Sequence, residues 1–136
     1  MKKIIVLTIS TACLLFSPAA LAQAPTNEQA QPVRVDKREL IAVAASATQD
    51  KKYELALRVA NNVVELFPDY GTGYLYRAIS QYRLGKREVA KIAFARAKEL
   101  YLMRLKSAKI STPEANEARS GLEVAELHLQ LPSSQP

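Results

Sequence analysis

Residues 52–66 read KYELALRVANNVVEL, and residues 86–100 read KREVAKIAFARAKEL. The second stretch follows the first by 34 positions. At that offset Lys52 matches Lys86, Glu54 matches Glu88, Ala56 matches Ala90, Glu65 matches Glu99 and Leu66 matches Leu100. Within each stretch apolar residues recur every three or four positions, the spacing that places them on one face of a helix. A second helical pattern precedes each of them. In the first unit Asp36 offers an N-cap, with Glu39 three places on as in a capping box, and Leu40, Val43, Ala44 and Ala47 share a face. In the second unit Tyr74, Leu75, Ala78, Ile79 and Tyr82 do the same. What repeats is a pair of helices.

The breaks between these patterns have physical causes. TQDKK (48–52) interrupts the first pair. Pro68 stops the second helix, because the residue before a proline avoids the helical region. Gly71 and Gly73 flank the start of the third helix and are expected to loosen the turn there. Leu84-Gly85 ends that helix with glycine in the usual C′ place. The fourth helix begins near Lys86 and carries Val89, Ala90, Ala93, Phe94 and Ala97. Leu102 stands where the first unit has Pro68, so this helix is expected to overshoot by about two turns, through Leu105 and Ala108. Thr112 and Pro113 restart the chain as N-cap and first helical residue. Glu114 and Glu117 suit the positive end of that helix dipole. Ala115, Ala118, Leu122, Ala125 and Leu129 form one apolar stripe of this last helix; Val124, Leu127 and Leu131 form a second beside it. Pro132 closes it.

A 34-residue unit of two helices resembles the tetratricopeptide (TPR) repeat. The pattern has a large residue followed four positions later by a small one, as in Leu40 with Ala44 and Tyr74 with Ala78. It then has an alanine, an aromatic four positions on and a further alanine three after that. Ala90, Phe94 and Ala97 satisfy this fully; Ala56, Ala60 and Val63 satisfy it with the aromatic lost. Small residues belong at such points because two helices cross closely only where one side chain is short. An Ala-rich generic bundle is the alternative. The fold class expected is all-α: a short TPR-like helical repeat of two antiparallel helix pairs (about 37–70 and 71–104) with a C-terminal amphipathic capping helix (about 113–131). The cap is expected because repeat units cannot each bury their own face, and about three are usually needed.

The N-terminus reads as a secretory signal. Lys2 and Lys3 precede an apolar run from Ile4 to Phe16, and Ala20-Leu21-Ala22 offers a small-x-small cleavage site. Cleavage after Ala22 implies an exported, periplasmic protein. The run is short for a membrane span, which needs roughly 20 residues, so no stable span is expected after cleavage. Cys13, the single cysteine, lies inside this run. Ser10 stands three places before it and Leu14, Leu15 and Phe16 continue the run, which argues against lipidation. The mature chain would then have no thiol, hence no disulfide and no cysteine-ligated metal. Residues 23–35 are rich in Gln, Ala and Pro and read as a disordered tether; residues 132–136 read as a disordered tail.

The formal charge of +6 falls to +4 without the two signal lysines, and it is unevenly spread. Residues 69–112 carry ten basic against three acidic residues, whereas from residue 113 onward Arg119 faces Glu114, Glu117, Glu123 and Glu126. Such asymmetry steers partners or complements itself within the fold.

Function follows from the resemblance. TPR-like proteins often bind partners on a concave face built from the first helix of each repeat. By register that face would hold Arg38, Ile41, Ala45 and Thr48 from the first unit, and Leu75, Tyr76, Ile79, Tyr82 and Arg83 from the second. The family's carboxylate clamp uses lysine and asparagine where this chain has Ile41 and Ala45, so capture of a charged chain terminus is not implied. A second candidate is the basic set Arg77, Lys86, Arg87, Lys91, Arg96, Lys98, Arg104, Lys106 and Lys109, which could meet an acidic partner, an anionic lipid or a cell-wall polymer. Catalysis finds no constellation: His128 is the only histidine, and there is no Gly-rich phosphate loop. The expectation is a non-enzymatic adaptor or assembly factor for an envelope complex, binding another protein or peptide segment. It takes no cofactor and no metal, and nucleic acid is disfavoured by export. A homo-oligomeric component and a polyanion or membrane-surface binder are the alternatives.

Overall fold

Asp36 starts the first helix: its carboxylate accepts the backbone N–H of Arg38 at 2.8 Å, satisfying one of the donors that a helix N-terminus leaves without an intrahelical partner. The computed structural model describes residues 34–132. The expected signal at 1–22, the tether up to residue 33 and the tail from 133 lie outside the described residues. Within them the chain is all-α: α1 Lys37–Gln49, α2 Tyr53–Leu66, α3 Gly71–Arg83, α4 Arg87–Leu105 and α5 Thr112–Gln130, with no strand among the described residues.

The helices pack in sequence order, α1 on α2, α2 on α3, α3 on α4 and α4 on α5. Smaller contacts join α1 to α3 and α3 to α5, while among the described residues the backbones of α2 and α4 do not approach each other. The stack therefore has two layers. Helices α1, α3 and α5 lie side by side on one face, and α2 and α4 splay apart on the other, an arrangement compatible with a helical repeat.

The 34-residue offset holds in the backbone itself. α1 begins at Lys37 and ends at Gln49; α3 begins at Gly71 and ends at Arg83. Lys51 leaves α1 at φ 59° and Gly85 leaves α3 at φ 78°, the two positive φ values among the described residues. The closing hydrogen bonds repeat as well: Lys52 N–H to Ala47 O at 2.8 Å becomes Lys86 N–H to Gln81 O at 2.9 Å. A left-handed residue followed by this six-to-one bond is the Schellman ending of a helix. Glycine reaches that conformation without strain and lysine does not.

Burial repeats too. Ala44, Ala47, Ala56, Ala60 and Val63 are buried in the first unit, and their counterparts Ala78, Gln81, Ala90, Phe94 and Ala97 are buried in the second. Alanine at the crossings lets the helices approach closely, as the sequence pattern requires. Phe94, only 1% exposed, supplies in the second unit the aromatic bulk that Ala60 lacks in the first.

Three local expectations are corrected. Gly71 and Gly73 do not loosen a turn: both are buried inside α3. A β-carbon at Gly73 would come to 2.8 Å from Val63 Cγ1, and one at Gly71 to 3.1 Å from the Tyr101 ring. They are glycine because α2 and α4 pass so near. The N-cap of α5 is Ser111 rather than Thr112; the Ser111 hydroxyl and N–H both donate to Glu114 Oε2, at 2.9 and 3.2 Å. Finally, α4 ends at Leu105, short of Ala108. Its extension past Leu100 is what carries Tyr101 and Arg104 to α5.

Candidate functional site

The start of α3 is built from residues with little or no side chain, so the end of α4 and the first turns of α5 close in upon it. Tyr70 and Thr72 come from the α2–α3 turn and first turn of α3, Tyr101 and Arg104 from the extended end of α4, and Glu114 and Glu117 from α5. Lys37 and Arg38 reach the same place from the first turn of α1. Together they line a cleft of about 170 Å3.

Its polar groups form one chain of donors. Tyr101 Oη donates to Thr72 Oγ1 at 3.1 Å, and Thr72 Oγ1 donates to Glu117 Oε1 at 2.6 Å. Tyr70 Oη donates to the same Glu117 oxygen at 2.7 Å. Hydrogen bonds to an ionised carboxylate are the stronger kind, so the half-buried Glu117 ties α5 to the start of α3. Both of these bonds end on Oε1 rather than on the second oxygen, Oε2. The Lys37 ammonium lies over the Tyr70 ring, 4.7 Å from its centre.

The surroundings shift the phenols. Burial, then donation to Glu117, pushes Tyr70 up to about 12. Burial pushes Tyr101 further above the ordinary tyrosine value, and burial followed by the Glu117 charge raises Tyr76. At the rim, Glu114 accepts from Ser111 and pairs with Arg104 Nη2 at 2.8 Å. The Ser111 bonds first and Arg104 after them hold its carboxyl at about 2.

The residues expected on the binding face divide. Arg38 lies on the cleft, exposed at the start of α1. Ile41, Ala45 and Thr48 follow it along α1, half-buried, with Thr48 Oγ1 donating to Ala44 O at 2.8 Å. Tyr76 is half-buried near Glu117, and Arg83 is exposed in the last turn of α3. Leu75 is a correction: it is buried in the core formed by α3, α4 and α5. Ile79 and Tyr82 pack against that core from α3, so they are at best half available. Tyr82 meets the His128 ring edge-on at 5.3 Å between ring centres, and the Arg87 guanidinium carbon lies over the Tyr82 ring, 5.6 Å from its centre. His128 itself stacks on Phe94 at 4.5 Å, and its Nδ1 sits 2.9 Å from Val124 O.

The basic set is partly neutralised within the fold. Lys98 pairs with Glu126 at 2.9 Å and Arg104 with Glu114, both across the α4–α5 boundary. Arg96 pairs with Glu99 at 2.6 Å and leans over the Tyr74 ring. Arg77 is half-buried, its Nε enclosed without a hydrogen-bond partner; Lys91 and Arg87 are half-buried and engaged. Lys86, Lys106 and Lys109 remain exposed. The acidic last helix therefore complements the basic second unit at two points.

Sequence reasoning passed over Tyr70, Thr72 and Tyr101, and read Glu117 only as a helix-start charge. One signal was present: Thr72 sits between two glycines, and a helix that starts with so little side chain has a close neighbour. Among the described residues no helix is long and apolar enough to cross a membrane, and no group of three or more His, Cys, Asp or Glu could hold a metal ion. Searched against protein-family models, curated proteins and solved structures, the chain matches none of them.

Proposed function

We propose that this chain is a non-enzymatic, exported TPR-like module that docks one segment of another envelope protein on the α1–α3–α5 face. The observation that carries the reading is the cleft at one end of that face, where three helix starts and the end of α4 converge on a carboxylate with an open oxygen. Tyrosine suits such a surface because its ring buries area while its hydroxyl keeps a polar partner. The reading is supported also by the amino-terminal sequence, where Lys2 and Lys3, an apolar run and Ala20-Leu21-Ala22 read as an export signal; the partners of an exported protein would be envelope components.

The test is site-specific photo-crosslinking in the intact envelope, with the crosslinker at Arg38 or Tyr76. One recurrent protein adduct is expected at both positions. Adducts absent from both, with a control position on the outer face of α2 behaving identically, would end the proposal.

A second reading has its own observation. The outer face of α4 exposes Val89, Ile92 and Met103, with Ile92 72% and Met103 60% accessible, and apolar faces of this kind can pair chains. Sedimentation showing a monomer at high concentration removes it. Surface binding to polyanions has less support, since Arg96, Lys98 and Arg104 are already in ion pairs.

A further inference from the structure

The Glu117 carboxylate is satisfied on one side only. Both hydroxyl donors within reach, from Tyr70 and Thr72, go to Oε1. Glu117 lines the cleft as a half-buried residue, and its Oε2 is not among the enclosed atoms left without a partner, so that oxygen opens to the cleft. A carboxylate oxygen open to the cleft can accept a further donor, and a charged donor makes the stronger bond.

The neighbouring ring already shows which charge it accepts. The Lys37 ammonium rests 4.7 Å above the centre of Tyr70, inside the range of a cation–π contact. Lys37 is the first residue of α1, where the helix dipole disfavours a cation, and its side chain is exposed. Among the described residues the Tyr70 ring is the contact found for this ammonium, and a single exposed contact of that kind is displaceable. With Lys37 turned outward, the cleft keeps Arg38 and Arg104 against Asp69, Glu114 and Glu117, and Arg104 is engaged by Glu114. An acidic guest would meet Glu117 already lying against the start of α3. Space is sufficient: a cavity of ~150 Å3 takes a benzene-sized group, and this one measures about 170 Å3.

We infer that the cleft receives a basic side chain, lysine or arginine, from the docked partner segment, which takes the place of Lys37 over Tyr70 and donates to Glu117 Oε2. This rests on the reading of the chain as a protein-docking module and names the chemistry of the contact. Lys37 is then an internal placeholder for the incoming cation.

The test uses the chain from residue 23 onward and three capped pentapeptides that differ only at the centre: lysine, norleucine or glutamate. Amide shifts of Tyr70, Thr72 and Glu117 are followed by NMR. The lysine peptide is expected to move them saturably, and its two twins are not. Glu117→Gln keeps a carbonyl oxygen for Tyr70 and Thr72 but places an amide donor where the cation would bind; it should weaken the lysine peptide by about tenfold or more. Lys37→Ala should tighten it about threefold, whereas Lys109→Ala, the same charge change at a distant exposed site, should not. Equal responses to the three peptides, or no effect of Glu117→Gln, overturn the inference. If those fail while envelope crosslinking still returns a partner, docking stands and the cationic contact falls. If the lysine peptide binds as described but no adduct forms in the envelope, the cleft chemistry stands and the docking reading falls.

Discussion

Gly121 of α5 lies flat against the phenol of Tyr101 of α4, so close that a β-carbon at position 121 would overlap the ring and its hydroxyl. Tyr101 has little room to retreat, because Gly71 of α3 lies against its Cδ1–Cε1 edge and the residue is only 4% exposed. One tyrosine is thus clamped between two glycines of different helices.

Gly121→Ala is therefore expected to destabilise the fold. In an exposed helix the change would gain up to about 1 kcal/mol; here overpacking costs about 1–3 kcal/mol and disturbs the Tyr101–Thr72 bond as well. Urea denaturation checks the sign. A variant more stable than the parent would show that α5 does not dock on Tyr101.

Lys51→Gly should act in the opposite direction. Lys51 holds the left-handed conformation that its counterpart Gly85 holds without strain. Relief of that strain, less the extra freedom glycine gives the unfolded chain, leaves a gain on the order of 0.5–1 kcal/mol. For a domain of this size that is a rise in Tm of roughly 2–8 °C, measurable by calorimetry. The matching change Gly85→Lys should lower it.

Alkaline titration reads the cleft directly. Tyr70, Tyr76 and Tyr101 are all expected to ionise above the ordinary tyrosine value, Tyr70 at about 12. A pKa raised in the folded state means that the stabilisation is complete below about 10 and is lost as pH rises through the folded value. Aromatic NMR shifts of tyrosine-labelled protein follow each ring. Glu117→Gln should bring Tyr70 and Tyr76 part of the way back, because burial remains when the charge is gone.

Acid acts at the other rim. Glu114 is held at about 2 against an ordinary 4.5. Its contribution is therefore present above about pH 4.5 and disappears as pH falls towards 2. Amide exchange in the first turn of α5 should accelerate across that window, since protonation weakens the Ser111 cap and the Arg104 pair together. In Glu114→Gln the acceleration specific to this window should be absent.

The pairs of helices were legible because their information is local. Ala56 with Ala90 and Lys52 with Lys86 can be read from spacing, Pro68 and Gly85 from chain chemistry as helix ends, and the backbone reproduces the 34-residue offset. The cleft was not legible in that way. Tyr70 and Thr72 lie 47 and 45 positions from Glu117, and α5 is out of register with the repeat, so no period brings them together. Leu75 was misplaced for a related reason: register says which helix layer a residue belongs to, but the covering of α3 by α4 and α5 decides whether it stays open. Ser111 was passed over in favour of Thr112 because either can cap a helix, and only the reach of Glu114 distinguishes them.

Because each helix leans mainly on its neighbours in sequence, a helix at the edge of the stack is held less firmly than one inside it. α4 commits Phe94, Leu100 and Tyr101 to the interior, while α1 commits only Ala44 and Ala47. Two methyl groups hold a helix far less tightly than three large side chains. Amides of α1 should exchange through openings of lower free energy than those of α4. Opening of that kind releases α1 from α2 and α3, uncovering the α1 side of the cleft and leaving the Tyr101–Gly121 contact shut.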